Sequence, residues 1–241
     1  MYTQVILGFL ASCFFAVQVY SEPADKLAAL RTLPIESGTI QSVESLDQGT
    51  DVKLLLNPAK GSNIKVEICL PPPKKWNGRL MGLGNGGAAG HINPAGLKDF
   101  CARGFAAVTT DMGTAPNANS GIGNPEVWKD FGFRATHLMT MVAKQIIQAY
   151  YGKAPEYSYF NGGSTGGQQA LQEAQRFPDD YDGIVANIPA HCRTPLHAYF
   201  LWNDQILKKC PFTASQKANI EQAGNDRSEE HTSELQSRLH L

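Results

Sequence analysis

The sequence is poor in charge and in cysteine. Charged side chains make up 18% of its 241 residues, and 21 basic and 22 acidic groups leave a formal net charge of −1. A chain without a basic excess lacks the electrostatic attraction that nucleic acids require, so we expect no nucleic-acid partner. Five cysteines are too few for a fold built on disulfides, and no spacing suits a metal ion.

Hydrophobic residues, glycine and proline are abundant by contrast. The chain is 42% hydrophobic and contains 23 glycines and 14 prolines. This content excludes a disordered or fibrous protein. It favours a mixed fold with many turns, and the length suits one domain with a full core.

Residues 1–21 form a short apolar segment that ends near Ser21. The segment is too short to span a bilayer comfortably, and we predict that it is a secretory signal peptide. A buried N-terminal strand and a membrane anchor are the alternatives, because no Lys or Arg precedes the apolar residues. The prediction implies a secreted, extracellular protein that has no membrane association once the signal is removed.

Residues 227–241 have neither apolar periodicity nor turn residues. Most of this segment resembles the translation of a common sequencing-library adapter. We therefore expect a non-native tail, with the natural sequence ending near Asn225 or Asp226, and assign no function to His231 or His240. The alternative is a polar tail on a genuine protein.

Between these ends, short apolar strands alternate with helices. The longest helix, residues 134–151, has one apolar face, which is formed by Leu138, Val142, Ile146 and Ala149. Alternating strands and helices predict an α/β fold with a parallel sheet. The predicted strands are residues 53–56, 64–69, 79–83, 104–110, 157–160 and 183–186, and the predicted helices are residues 26–31, 134–151 and 167–177.

A glycine-flanked serine lies where one predicted strand meets one predicted helix. The segment Gly162-Gly163-Ser164-Thr165-Gly166 has the pattern G-x-S-x-G in that context. Such a turn is too tight for side chains beside the serine, and it exposes the hydroxyl at a helix N-terminus, where developing negative charge is stabilised. We predict that Ser164 is a catalytic nucleophile. The alternative is a glycine-rich turn that only packs closely.

A second glycine-rich segment, residues 82–90, follows the strand at residues 79–83. Hydrolases with a G-x-S-x-G turn place an oxyanion-binding amide in a loop of this kind. We predict that the amides of Gly86 or Gly87, together with that of Thr165, bind the oxyanion. A phosphate-binding loop is disfavoured because no Gly-Lys-Ser/Thr ends the segment. A plain flexible loop remains the alternative.

Several short motifs together resemble the tannase and feruloyl esterase family of α/β-hydrolases. They occur in the family's order and cover residues 65–190 almost without a break. The matching segments are residues 76–79 (WNGR), 84–87 (GNGG), 109–113 (TTDMG), 130–137 (DFGFRATH), 150–152 (YYG), 162–167 (GGSTGG), 174–178 (AQRFP) and 182–185 (DGIV).

The resemblance implies an α/β-hydrolase fold, with a mostly parallel sheet and flanking helices, and a serine carboxylesterase activity. The implied substrates are small aryl esters of the feruloyl or galloyl type, including esters linked to plant polymers. In the implied two-step acyl transfer, Ser164 attacks the ester carbonyl. A non-catalytic ligand-binding protein on the same scaffold is the alternative, because a fold does not determine a function.

Two features depart from the family's pattern. Members usually have a Cys directly before the nucleophile, bonded to a Cys beside the catalytic His, and here that position is Gly163. The triad order is Ser, then Asp or Glu, then His, and the sequence after Ser164 is too short for the later strands. We expect residues 22–190 to be the N-terminal part of the catalytic domain and residues 191–226 to begin a lid.

This truncation has consequences for the chemistry. The triad Asp and His are expected to be lost, together with the calcium site that the family has in its lid. No cofactor or metal is therefore expected in this chain, and the chain as written is expected to be inactive.

The histidines before the tail receive lesser roles. His191 is rejected as the base because it directly follows a strand, before any acid-bearing strand could intervene. His191 and His197 are assigned to the lid, and His137 is assigned to packing or capping on its helix. His91 lies near the glycine-rich segment and is predicted to line the cleft and contact substrate, the alternative being a solvated loop histidine.

Three charged residues look structural. Asp111 ends a predicted buried strand and fits a turn-capping role better than that of a triad acid. Asp130 and Arg134 lie four residues apart at a predicted helix start, where an acidic residue is favourable.

Removal of the signal also removes Cys13, and the remaining cysteines would lie in an oxidising compartment. Cys69 and Cys101 flank the glycine-rich segment and are the first pairing that we expect. Three pairings among Cys69, Cys101, Cys192 and Cys210 remain open.

Overall fold

A computed structural model describes residues 24–238. The predicted signal peptide and the last three residues of the predicted tail lie outside this range. The described residues form two compact units, which divide between His191 and Cys192. Within the described residues, no helix combines the length and the apolar composition that a membrane crossing requires.

The first unit is built on a seven-stranded sheet in the order β1-β2-β3-β5-β4-β6-β7. The strands are β1 (Gly38–Leu46), β2 (Gly49–Leu56), β3 (Ile64–Leu70), β4 (Arg79–Leu83), β5 (Ala106–Thr110), β6 (Tyr157–Gly163) and β7 (Gly183–Asn187). The four strands from β5 to β7 run parallel, whereas β1, β2, β3 and β5 pair antiparallel. The predicted α/β fold is confirmed, and the antiparallel part, with β1 as an added strand, was not predicted.

In the described part of the first unit, five α-helices accompany the sheet: α1 (Ala24–Arg31), α2 (Pro94–Ala102), α3 (Pro125–Lys129), α4 (Ala135–Tyr151) and α5 (Thr165–Arg176). A 3₁₀ turn at Ala118–Gly121 and a π turn at Asp130–Arg134 precede α3 and α4 respectively. Helix α2 was not predicted from the sequence. It starts at Pro94, behind Asn93, whose side chain accepts a hydrogen bond from the amide of Ala95.

The core lies on both faces of the sheet because successive strand residues point to opposite sides. Helices α1, α4 and α5 cover one face and share a large apolar cluster with the strands. Helix α2 covers the other face, where Leu97 packs in a smaller cluster. The buried face of α4 includes Met139, Ala143 and Tyr150. Ala149, which the sequence placed on that face, is exposed.

The second unit contains α6 (Arg193–Lys209) and α7 (Ala214–Arg238). No residue of α6 is buried. Helix α7 extends from the predicted lid segment into the predicted adapter-derived tail, so the backbone there is helical. The assignments of residues 191–226 to a lid and of residues 227–241 to a non-native tail stay predictions.

Candidate active site

Ser164 lies at the junction between β6 and α5, as the sequence predicted. Its backbone has φ 56° and ψ −115°, a conformation that side-chain-bearing residues rarely adopt. The neighbouring glycines make this turn sterically feasible. A Cβ on Gly162 would lie 2.2 Å from the carbonyl oxygen of Gly166, and a Cβ on Gly166 would lie 3.0 Å from the Cα of Gly84. The turn therefore requires glycine at position 162 and leaves little room for a side chain at position 166. The Ser164 residue is exposed.

The segment that follows β7 holds the Ser164 backbone. The Ser164 amide donates a hydrogen bond to the carbonyl of Asn187 over 3.1 Å, and the Ser164 carbonyl accepts one from the amide of Ala190 over 2.8 Å. A Cβ on Gly167 would lie 2.6 Å from the Asn187 oxygen. The strained backbone is thus fixed by tertiary contacts, as such conformations require.

The glycine-rich loop after β4 lies directly beside this turn, since β4 pairs with β6 in the sheet. The amide of Gly166 donates to the carbonyl of Asn85 over 2.7 Å. The hydroxyl of Thr165 donates to the carbonyl of Gly87 over 2.5 Å. The structure therefore brings Ser164, Thr165 and the Gly86–Gly87 pair to one edge of the sheet.

The loop is held on its other side by residues that follow β5. The Thr114 hydroxyl donates to the carbonyl of Ala88 over 2.6 Å, and the amide of Gly90 donates to the carbonyl of Asp111 over 3.0 Å. Gly86 and Gly87 are exposed, and a Cβ on either would meet no atom within 4 Å. Within residues 24–238, the amides of these two glycines donate to no protein acceptor.

A cavity of about 500 Å³ opens beside the turn. Its lining includes residues 84–86, His91, Gly163 and Asn187. The Nδ1 atom of His91 lies 3.2 Å from the carbonyl oxygen of Ala89. The predicted cleft residue His91 therefore does line a cavity, and it also borders a second one of about 520 Å³ that is lined by residues of β2 and β3.

Comparisons with known proteins agree with this architecture. Residues 50–221 match the profile of the family described as tannase and feruloyl esterase. This chain belongs to the tannase and feruloyl esterase family. Feruloyl esterase B of Aspergillus niger is 41% identical over 154 residues, which are 63% of this chain and 29% of that protein. A probable feruloyl esterase B-2 of Aspergillus flavus is 42% identical over 140 residues, covering 58% of this chain and 26% of that protein.

Solved structures of family members have the same fold. The crystal structure of feruloyl esterase B from Aspergillus oryzae matches with a TM-score of 0.62 and 29% identity, over 68% of this chain and 37% of that one. The tannin acyl hydrolase from Aspergillus niger matches in fold, with a TM-score of 0.56 over 68% of this chain and 36% of that one. The chain thus spans about a third of the length of these family members.

The position where the family usually has a cysteine, Gly163, is not sterically restricted. A Cβ there would lie 3.7 Å from the Cβ of Asn187, which is ordinary van der Waals contact. Gly163 therefore differs from Gly162, where a Cβ would clash with the backbone, and from Gly166, where a Cβ would make tight backbone contacts.

Asp111 and Asp130, which the sequence indicated as structural residues, make structural contacts. Asp111 is buried, and one carboxylate oxygen accepts hydrogen bonds from the amides of Lys65 and Gly113 over 2.9 and 2.8 Å. Burial raises the pKa of the Asp111 carboxyl. Asp130 is also buried and accepts a hydrogen bond from the Arg134 guanidinium over 2.6 Å. Asp111 therefore caps the turn after β5, and Asp130 pairs with Arg134 just before α4, as predicted.

Two histidines follow β7 in the sequence, and the structure shows a catalytic role for neither of them. His191 is exposed and follows β7, with its Nδ1 atom 3.0 Å from the carbonyl oxygen of Pro189. His197 lies in α6 of the second unit. Their assignment to a lid stays a prediction.

The far end of α5 carries a buried polar cluster that the sequence analysis missed. His137 stacks on the ring of Phe177 at 3.9 Å, and its Nδ1 atom lies 2.7 Å from Oδ2 of Asp180. This confirms that His137 is a packed residue. Glu173 is fully buried, and its carboxylate oxygens have no hydrogen-bond partner among the described residues. Burial, and then the neighbouring Asp180 carboxylate, raise the pKa of Glu173 to about 9.

The four cysteines of the described residues are free thiols in this structure. Cys69 and Cys101 are buried together in the apolar cluster under α2. The neighbouring Cys69 thiol, and then burial, raise the pKa of Cys101. The first expected pairing thus joins two side chains in contact, and the disulfide itself stays a prediction.

Proposed function

We propose that this chain is the N-terminal part of a secreted serine carboxylesterase in which Ser164 is the nucleophile. The observation that carries the proposal is the strained Ser164 backbone, held between the glycine-rich loop and the segment after β7. This strand–turn–helix geometry is the one in which hydrolases present a reactive serine. A turn that only packed closely would not need a strained serine at its exposed apex.

Substrate class follows from the family. The relatives named above are feruloyl esterases, so the proposed substrates are small aryl esters of the feruloyl or galloyl type, among them esters attached to plant polymers. The 500 Å³ cavity beside the turn is large enough for an aryl ester group. His91 would contact the substrate from the cavity wall.

The proposed reaction has two steps. The Oγ atom of Ser164 attacks the ester carbonyl, and the resulting oxyanion is bound by the amide of Thr165 with that of Gly86 or Gly87. Loss of the alcohol leaves an acyl-enzyme on Ser164, which water then hydrolyses. The base that removes the serine proton would be a His beyond residue 226 in the full-length protein, since His191 follows β7 without an intervening acid-bearing strand.

Secretion belongs to the same proposal. Residues 1–21 would direct the protein out of the cell, and the oxidising environment would allow Cys69 and Cys101 to form a disulfide. Their shared burial supports this pairing over those with Cys192 or Cys210, which are exposed.

The test compares the full-length gene product with its Ser164→Ala variant on a chromogenic aryl ester. We expect turnover to fall by about 10³–10⁶-fold, because loss of a nucleophile leaves only binding and oxyanion effects. A serine-directed phosphonate should label the wild type and not the variant. Ser120→Ala, in the 3₁₀ turn, is the matched control and should retain activity.

The 241-residue chain should hydrolyse the same ester at most near background, because a serine hydroxyl is a poor nucleophile without an adjacent base. Robust Ser164-dependent turnover by this chain would contradict that expectation and would require a base within it, His191 first. A full-length protein that binds aryl esters without turnover would instead support a non-catalytic ligand-binding function.

A further inference from the structure

We propose that Gln169 is a positioning residue that sets the orientation of the glycine-rich loop relative to Ser164. The inference rests on the proposed function, because it concerns the loop whose amides would bind the oxyanion. Gln169 lies on α5 and is only 3% exposed. Neither the G-x-S-x-G pattern nor the predicted catalytic residues include it.

Both polar ends of the Gln169 side chain are used. Its Oε1 atom accepts a hydrogen bond from the backbone amide of Asn85 over 2.8 Å. Its Nε2 atom donates to the hydroxyl oxygen of Thr136 on α4 over 2.8 Å. Thr136 is itself buried. A continuous hydrogen-bonded connection therefore runs from Thr136 on α4 through Gln169 on α5 to Asn85, the residue directly before Gly86. It is buried at Thr136 and Gln169 and half-buried at Asn85.

The position of Asn85 makes this connection relevant to the oxyanion site. Its carbonyl accepts the amide of Gly166 over 2.7 Å, and its side chain donates to the carbonyl of Thr110 over 2.6 Å. The Asn85 carbonyl and the Gly86 amide belong to one planar peptide unit, so the direction of one determines the direction of the other. Gln169 holds the preceding peptide unit.

Two successive peptide units, Gly84–Asn85 and Asn85–Gly86, are thus fixed to α5. The Gln169 side chain holds the first, and the Gly166 amide holds the second. Helix α5 also carries Ser164 at its N-terminal boundary. The nucleophile and the loop donors therefore share one rigid reference, which is what preorganised oxyanion binding requires. The Gly166 contact is made by backbone atoms, so no substitution removes it directly. The Gln169 contact is made by a side chain, so a substitution can remove it without changing the turn.

Substitution of Gln169 by Met keeps the side chain's length and removes both hydrogen bonds. In the full-length enzyme we expect kcat to fall by about 10–100-fold while KM changes by less than about 3-fold, because a displaced donor weakens binding of the transition state more than of the ester. Gln169→Glu keeps the acceptor for Asn85 and should restore most of kcat. Gln175→Met, at an exposed position of the same helix, is the control and should match the wild type.

A second measurement does not depend on activity. Hydrogen exchange of residues 84–90 in the 241-residue chain should be faster in Gln169→Met than in the wild type, and unchanged in Gln175→Met. If the full-length wild type has no esterase activity and exchange still rises, the proposed function fails while loop positioning by Gln169 stands.

A folded Gln169→Met variant with unchanged kcat and unchanged exchange would overturn the inference. If this variant does not fold, Thr136→Val replaces it, since valine keeps the volume and removes only the anchor of Gln169. Faster exchange of residues 84–90 and a lower kcat in Thr136→Val would support the inference, and wild-type values for both would overturn it.

Discussion

Helix α5 begins at a strained serine and ends beside a buried carboxyl group, and its two ends are held in different ways. At the N-terminal end, glycine Cα atoms and carbonyl groups pack so closely that a single methyl group would clash. At the C-terminal end, the contacts are made by titratable side chains. Two of them, Glu173 and Asp180, are buried, and His137 is half-buried.

The difference separates two kinds of sensitivity. Steric contacts between backbone atoms do not change with pH, but they tolerate no increase in volume. A buried ionisable group tolerates an isosteric replacement, but its contribution to folding depends on its proton. The first arrangement suits a site whose geometry must persist under all conditions, and the second suits a region that only has to fold.

The largest effect on stability is expected at the N-terminal end, for Gly162→Ala. The added Cβ would lie 2.2 Å from the Gly166 carbonyl oxygen, which belongs to the backbone and cannot move aside alone. We expect a loss of about 3 kcal/mol or more in the free energy of unfolding. Urea unfolding of the 241-residue chain measures it.

Gly163→Ala is the control for that experiment. Its Cβ would make only ordinary contact with Asn187, at 3.7 Å, so stability should change by less than about 1 kcal/mol. Equal effects of the two substitutions would refute the steric account of the turn.

An intermediate effect is expected at the C-terminal end, for Glu173→Gln, and it should depend on pH. The pKa of Glu173 is raised from 4.5 to about 9. Between these values the folded protein keeps a proton that the unfolded chain has lost, so wild-type stability falls as pH rises through this window. Glutamine does not titrate, and the variant should therefore be more stable, on the order of 1–3 kcal/mol at about pH 7.

Urea unfolding of the wild type and Glu173→Gln across that window provides the measurement. The difference should vanish below the ordinary pKa of a glutamate and grow towards alkaline pH. A difference that does not vary with pH would mean that Glu173 is ionised in the folded protein, and the contrast between the two ends of α5 would then be lost.

The smallest effect is expected for Lys144→Met, at the surface of the polar cluster beside the C-terminal end of α5. The Lys144 ammonium donates to the carbonyl of Asp180 over 2.6 Å. Loss of this partly solvated hydrogen bond should cost less than about 1 kcal/mol. Phosphonate labelling of the full-length protein should be unaffected, and a large fall in labelling would show that the two ends of α5 are coupled.

The order of strands and helices was readable from the sequence because it depends on local patterns. Ile64, Val66 and Ile68 alternate with polar residues, and all three are buried in β3. Strand β1 was not predicted because most of its residues are exposed or half-buried, and only Val43 is fully buried. Such a strand has little apolar alternation in its sequence. Helix α2 was not predicted because it has few apolar positions. It begins at Pro94 behind the cap residue Asn93, and Leu97 packs in the smaller apolar cluster against the sheet.

The sequence by itself determined the turn at Ser164. Glycines at both flanks, a strand before them and a helix after them leave the backbone one compact path, because sterics between neighbours in the chain decide it. Only the tertiary structure decided that Gln169 would accept a hydrogen bond from Asn85 and that the Glu173 carboxyl group would be buried away from solvent. These outcomes depend on α4, the loop after β4 and the segment before β7 converging on α5, and hydrogen bonds and desolvation between residues distant in sequence exist only once that packing has formed.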